Sequence, residues 1–351
     1  MTFLVTGESL VDLIGAPGSW TFTAVPGGSP LNVAVALAAL GRPVRFAGET
    51  GDDLFGGLLR DHLTRHGIGT GDLASAASTG LAFARVGADG SASYDFRFEW
   101  RLSAPVALDG VTCLHTGSLA TLVAPGGDHV RALMRAAKAA GVTVSYDPNI
   151  RPSLAGDHSA AVALVEECVR LSRLVKVSAE DLDWLYPGEP GLDVARRWAG
   201  LGPELVVVTR GGDGATAVLR DWLSDDEVPG DGVPSDWLSD DGVPAGGVPG
   251  DGVITCPAPA VEVVDTVGAG DTFTAAYLDA LHDDALPDDA LHGGPLPDGT
   301  LTPARVAKAL RRGCAAAAIV CTRAGAVPPT RAEVNSFSLG TGLSRAEEGH
   351  T

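Results

Sequence analysis

Short apolar runs at 3–6, 44–47, 111–116, 142–146, 174–177 and 205–209 alternate along the chain with stretches of helical composition and spacing at 31–40, 54–66, 128–140 and 160–171. This alternation constrains the fold more than any other feature of the sequence. A strand covered on both faces reads as an unbroken apolar run, and parallel strands need a long crossover, which a helix supplies. The expected fold is therefore α/β, a doubly wound and mainly parallel sheet covered by helices. Two pieces break the rhythm. Around 19–25 and 80–98 polar and apolar residues alternate with a period of two, which predicts a small separate β layer exposed on one side and able to act as a lid.

With 351 residues, 45% of them hydrophobic and 20% charged, the chain can bury the core of one large α/β domain, alone or with a small accessory piece. The net charge of −19 argues against a nucleic-acid partner, which wants clustered Lys and Arg. No apolar run approaches the ~20 residues of a membrane span, and no basic segment opens the chain, so a cytoplasmic protein with no membrane partner is expected. Cys113, Cys168, Cys256, Cys314 and Cys321 are scattered without CxxC spacing and read as buried thiols rather than as disulfides or a zinc site. His62 and His66 share a helix face, but no third ligand lies near them in sequence.

Much of the acidic excess is local. Asp221-Trp222-Leu223-Ser224-Asp225-Asp226 recurs as Asp236-Trp237-Leu238-Ser239-Asp240-Asp241 amid Val-Pro and Gly-Val-Pro units, and a cruder echo follows after His282. Proline, glycine and acid at this density cannot build a packed core, so 221–253 and 282–300 read as flexible low-complexity inserts, and 337–351 as a flexible tail. An acidic docking surface is the less favoured reading of the inserts.

Chemistry concentrates in Val264-Asp265-Thr266-Val267-Gly268-Ala269-Gly270-Asp271-Thr272-Phe273, where an extended run meets two glycines, an acid and a helical stretch through Leu281. Glycines let backbone N–H groups turn inward, and the helix end adds roughly half a positive charge, which suits a phosphate. Asp271 stands where a carboxylate can take a proton from an attacking hydroxyl; the plainer reading is that it caps its helix. A second cluster, Pro26-Gly27-Gly28-Ser29-Pro30-Leu31-Asn32, permits close approach of a small polar ligand, and Asn32 offers donors and an acceptor for hydroxyls. A third, Thr209-Arg210-Gly211-Gly212-Asp213-Gly214, follows a strand and can pass beneath a nucleotide. A dinucleotide oxidoreductase is excluded, because Val5-Thr6-Gly7-Glu8-Ser9 carries no GxGxxG fingerprint after the first strand.

Taken together the sequence resembles the ribokinase-like carbohydrate kinases, the PfkB family, from about 4 to 333 apart from the inserts. The resemblance rests on Gly27-Gly28-Ser29-Pro30-Leu31-Asn32-Val33-Ala34, Gly48-Glu49-Thr50-Gly51-Asp52-Asp53-Leu54-Phe55-Gly56, Asp147-Pro148-Asn149-Ile150-Arg151 and the Asp265 to Phe273 signature, all in the family's order. It implies a kinase domain over 1–336 with a β lid near 14–26 and 80–100, ATP-dependent phosphorylation of a sugar hydroxyl, and pairing of two copies through the lid. Asp271 would be the catalytic base, and Gly268, Ala269 and Gly270 the anion hole. Asp12, Gly27, Gly28 and Asn32 would bind sugar hydroxyls, with Asp12 alone equally readable as a turn residue. Lys176, Thr209, Gly211, Gly214 and Gly325 would serve ATP, although Lys176 also reads as a solvated strand-end lysine. The family's Asn-x-x-Glu motif is met by Ser178 and Asp181, which makes Asp181 the magnesium candidate. Potassium, which many members bind, would fall to Asp265 and Val267, but Pro329 stands where some members have a serine ligand. The motifs look most like those of fructokinases, with 2-keto-3-deoxygluconate and ribose as alternative substrates. Arg97 and Glu99 depart from the aromatic lid usual in fructokinases; Arg151, a substrate-binding candidate, or Arg97 would suit a sugar-acid carboxylate, although Arg151 also reads as serving phosphate and Arg97 as facing water on a lid strand. A non-catalytic sugar-binding protein could keep the glycines, but it would have no need of Asp271.

Overall fold

The computed structural model describes residues 1–15, 20–86, 92–102, 104–222, 252–282 and 301–337. Nearly all of the inserts expected at 221–253 and 282–300, and of the tail expected at 337–351, lie outside the described residues. The chain divides into two compact units, Met1–Ala38 with Arg42–Leu171, and Ala39–Gly41 with Ser172–Thr351.

The first unit runs β1 (Thr2–Thr6), β2 (Leu10–Gly15), β3 (Phe22–Gly27), α1 (Ser29–Ala39), β4 (Val44–Gly51), α2 (Leu54–Arg65), β5 (Leu73–Ala76), β6 (Gly80–Val86), β7 (Ala92–Arg97), β8 (Val111–Gly117), α3 (Leu119–Leu122), α4 (Gly126–Ala139), β9 (Thr143–Asp147) and α5 (His158–Leu171). Its main strands lie in the order β9-β8-β1-β4-β5, every pair parallel. Phe3, Leu4 and Val5 of the central strand are fully buried, and each such side chain contributes roughly 1.5–3 kcal/mol relative to exposure. Helix α2 shows why its segment is helical. Asp53 caps it by accepting from the Gly56 N–H, and its buried residues Gly56, Leu59 and Leu63 recur at helical spacing.

The period-two segments form a second sheet, β3-β2-β6-β7, in which β2 is antiparallel to β3 and parallel to β6, and β6 is antiparallel to β7. This lid begins at Leu10, ahead of the expected 14, so Asp12 lies inside a strand and not in a turn. Leu10-Val11-Asp12-Leu13-Ile14 puts apolar groups on both faces, which hides the alternation of a half-exposed strand.

The second unit runs β10 (Leu174–Ser178), α6 (Ala179–Leu185), α7 (Gly191–Ala199), β11 (Leu205–Thr209), β12 (Ala215–Leu219), β13 (Val253–Cys256), α8 (Ala269–Leu281) and α9 (Pro303–Cys321). Strands β10 and β11 are parallel, while β12 and β13 complete the order β13-β12-β11-β10 in antiparallel fashion. Every residue of α8 from Asp271 to Leu281 is buried. Its neighbour α9 begins with Thr302 as cap, whose hydroxyl accepts from Arg305 N–H, and with proline at the first position. A side chain at Gly313 would start 2.7 Å from the Phe273 ring, so this glycine is what lets α8 and α9 pack closely.

Candidate active site

In the second unit the chain enters α8 through Gly268, whose φ of 76° lies in the left-handed region, and a Cβ there would stand 2.6 Å from that of Ala326. Ala269, Gly270 and Asp271 form the first turn, and Asp271 is only 7% exposed. The helix places a buried carboxylate beside the first N–H groups and positive end of its own dipole. The Ala269 N–H donates to the Thr266 carbonyl at 3.2 Å, the long end of the usual range, so a charged oxygen would compete for it. Lys176 on β10 is buried, with Nζ 3.2 Å from where a Gly270 side chain would begin. Its solvated reading therefore fails. An ammonium and a helix N-terminus converging on one spot favour an anion between them.

The glycine loop after β11 is a closed turn: Arg210 N–H donates to Gly214 O at 2.8 Å, and Gly214 N–H to Gly211 O at 3.1 Å. Thr209 is fastened to β10 through its hydroxyl, which donates to Val177 O at 3.4 Å. Asp265, Val267 and Gly325 come together, since the Asp265 carboxylate accepts from Val267 N–H at 3.0 Å and from Gly325 N–H at 2.9 Å. Asp181 closes a capping box on α6, accepting from Ser178 N–H at 3.4 Å while its own N–H donates to the Ser178 hydroxyl at 3.0 Å. Among the described residues no group of three or more His, Cys, Asp and Glu could hold a metal ion. A magnesium ion does not require such a group, because it is commonly held by one or two carboxylates together with substrate phosphates and water.

In the first unit, Asp12, Gly27, Gly28 and Asn32 come together where β2 and β3 meet α1. A Cβ on Gly27 would lie 2.1 Å from Asp12 Oδ2, so the carboxylate occupies the space of the missing side chain. Gly28 has a φ of 107°, and a Cβ there would lie 2.6 Å from Glu8 O. Asn32 N–H donates to Gly28 O at 2.9 Å, starting the helix. Arg151 follows β9, and its NH1 donates to Asn149 Oδ1 at 2.6 Å and to the carbonyls of Asn149 at 3.2 Å and Ile150 at 3.1 Å.

Sequence reasoning missed Glu8. It is 1% exposed, its Oε2 accepts from Ala120 N–H at 3.0 Å, and burial pushes its carboxyl up to about 7, against opposing hydrogen bonds from Ser118 and Ala120 and the attraction of Arg151. The only sequence signal is an acid directly after an apolar strand. Between the ordinary value of 4.5 and about 7 the folded chain holds a proton that the unfolded chain has lost, so stability falls as pH rises through that window. Wild type should lose about 3 kcal/mol across it relative to Glu8→Gln, measured by urea unfolding at pH 5 and 7.5. Parallel pH dependence in the two proteins would contradict the assignment.

Comparison with known proteins agrees with this geometry. The sequence profile of the pfkB family carbohydrate kinases matches residues 3–333. A fructokinase of Rhizobium leguminosarum bv. trifolii is 30% identical over 294 residues, covering 81% of this chain and 80% of that protein. The structure of a Xylella fastidiosa fructokinase with bound ATP superposes with a TM-score of 0.75 at 26% identity, covering 97% of this chain and 98% of that one. A double-mutant fructokinase of Vibrio cholerae O395 in its fructose, ADP and potassium ion bound form gives a TM-score of 0.73 at 25% identity, covering 96% and 97%. A profile match over nearly the whole length, on an α/β fold with a small β lid, means that this chain belongs to the pfkB family of carbohydrate kinases.

Proposed function

We propose that the chain transfers the γ-phosphoryl group of ATP to a hydroxyl of fructose. The observation that carries the reading is the buried Asp271 carboxylate in the first turn of α8, beside Lys176 and behind the left-handed Gly268, in a chain whose relatives are fructokinases. Asp271 takes the proton of the attacking hydroxyl. The N–H groups of Gly268, Ala269 and Gly270, with Lys176, stabilise the charge that grows on the transferred group. Thr209, Gly211, Gly214 and Gly325 hold the nucleotide, and Asp12, Gly27, Gly28 and Asn32 receive sugar hydroxyls. Magnesium, when bound with the triphosphate, neutralises phosphate charge, and Asp181 is the residue that would hold it. Asp265 and Val267 would hold potassium, the ion present in the Vibrio fructokinase structure.

The two arginines that would suit a sugar acid have other partners at hand. Arg97 pairs with Asp95 at 2.8 Å, and Arg151 NH1 is committed to Asn149 and Ile150. The fructokinase relatives favour a neutral ketose over 2-keto-3-deoxygluconate. The reading takes 1–336 as the kinase module, the acidic segments as additions outside the chemistry, the lid as the surface through which two copies pair, and the cytoplasm as the compartment. Among the described residues no helix is long and apolar enough to cross a membrane.

The test is coupled ADP release with magnesium-ATP over fructose, 2-keto-3-deoxygluconate and ribose. The expected result is a kcat/KM for fructose at least about tenfold above the others, about 1.4 kcal/mol of discrimination. A preference for the acid overturns the substrate, and silence with every sugar favours a binding protein.

A further inference from the structure

The segment Gly48-Glu49-Thr50-Gly51-Asp52-Asp53-Leu54-Phe55-Gly56 carries a buried acid, Glu49, and an exposed one, Asp53, that the chemistry above does not use. It spans the end of β4, where Glu49 lies, the turn at 52–53 and the start of α2, within the same compact unit as the lid. The chain crosses into the lid sheet after Ser9, where β2 begins, and after Thr79, where β6 begins, and it has left β7 by Arg101.

All of these crossings are tied to the turn. The Glu49 carbonyl accepts from the Ser9 hydroxyl at 2.9 Å, and its carboxylate accepts from Arg101 N–H at 3.0 Å. The Asp53 carboxylate accepts from the Thr79 hydroxyl at 2.7 Å, from Thr79 N–H at 2.8 Å and from Gly56 N–H at 2.8 Å. Thr79 Oγ1 in turn accepts from Gly51 N–H at 3.0 Å. Hydrogen bonds to an ionised carboxylate are roughly twice as strong as neutral ones. Burial pushes the Asp53 carboxyl up, but the bonds from Thr79, Gly56 and Phe55 outweigh it and hold it below the ordinary carboxylate range.

The turn itself is braced from α2. Arg60, from α2, donates to Thr50 Oγ1 at 2.9 Å and to Gly51 O at 3.0 Å. A side chain at Gly56 would begin 2.0 Å from Gly51 O, and one at Gly51 would begin 2.3 Å from Asp53 Oδ2. What is fixed at Thr79 is passed on directly. Gly80 opens β6 opposite Leu10, and two residues later Ala82 stands opposite Asp12. Asp12 in turn fills the space above Gly27.

We propose that Glu49 and Asp53 are positioning residues, which pin the lid sheet to the β4–α2 turn at its crossings and so hold Asp12 and Gly27 in the register a sugar hydroxyl meets. The proposal rests on the sugar-kinase reading for its kinetic consequence and on the hydrogen bonds alone for its mechanical one. Neither residue touches substrate; each acts through the lid.

The experiment compares wild type with Glu49→Gln, Asp53→Asn, Thr79→Val and Thr79→Ser, because Asp53 also caps a helix and Thr79→Val removes the two hydroxyl bonds of the pin, leaving the one from Thr79 N–H, without disturbing that cap. Thr79→Val and Asp53→Asn should raise KM for fructose about tenfold, the equivalent of one strong hydrogen bond, while kcat and KM for ATP stay within about twofold. Thr79→Ser, which keeps the hydroxyl, should restore the wild-type KM. Amide exchange in 80–86 and 10–15 should quicken in Thr79→Val while that of β1 does not. Equal rises in both KM values, or a fall in kcat at constant KM, would overturn the positioning role. Unchanged exchange in Thr79→Val would overturn the pinning whatever the substrate proves to be. If wild type phosphorylates no sugar, the functional reading fails, and the exchange comparison still decides the pinning.

Discussion

Asp271→Ala is expected to lower kcat by roughly 10² to 10⁴ while leaving KM for fructose within about threefold, because a general base acts in the transition state and contributes little to ground-state binding. Asp271 is not the N-cap residue itself. The N-cap of α8 is Gly268, which has no side chain, and Asp271 is the third residue of the helix. What the helix gains from a carboxylate in that turn is typically 0.3–1 kcal/mol, so the variant should melt within a few degrees of wild type. Loss of turnover without loss of fold is therefore the expected pattern, read by coupled ADP release beside a thermal melt. Near-normal turnover would remove Asp271 from the mechanism, and unfolding would assign it a structural role.

The second large effect lies two turns further along the same helix. Asp279 is fully buried and sits between two arginines: Arg331 contacts its Oδ1, and Arg312 NH2 lies 3.6 Å from its Oδ2. Arg331 also donates to Leu40 O at 2.9 Å, and Arg312 NH1 donates to Asn335 Oδ1 at 2.9 Å, so the node joins α8, α9 and the segments around Leu40 and Asn335. Removing only the anion leaves the largely buried Arg312 without this counter-charge, while Arg331, 34% exposed, keeps Leu40 O and access to water. Asp279→Ala should cost about 3–5 kcal/mol in urea unfolding, the range for breaking one side of a buried ion pair. A loss under about 1 kcal/mol would show that the arginines find water or other acceptors at no cost. Because the helix is shared, the damage should appear as early unfolding, with turnover normal well below the transition.

The strands of the main sheets were legible because burial on both faces leaves unbroken Val and Leu runs, as in Leu205–Thr209. The antiparallel pair β12 and β13 was not legible, since Ala215–Leu219 and Val253–Cys256 are short and separated by the long acidic segment. In the site, Gly268 and Asp271 could be read because the turn, the helix and the acid are neighbours in sequence. Glu8, and the contacts that Glu49 and Asp53 make within their motif, could not, because what defines them lies far along the chain. Glu8 accepts from a residue 112 positions away, Glu49 from one 52 away and Asp53 from one 26 away. The burial of Lys176 likewise depends on α8 arriving beside β10, which no local pattern reveals.

The most direct test of the central claim follows the phosphorus. Wild-type protein is mixed with ATP labelled in its γ-phosphoryl group, magnesium and fructose, and the label is traced by chromatography. The account predicts label covalently attached to fructose at a rate abolished in Asp271→Ala. Label that stays on the nucleotide, or that appears only as inorganic phosphate whether or not fructose is present, would contradict it.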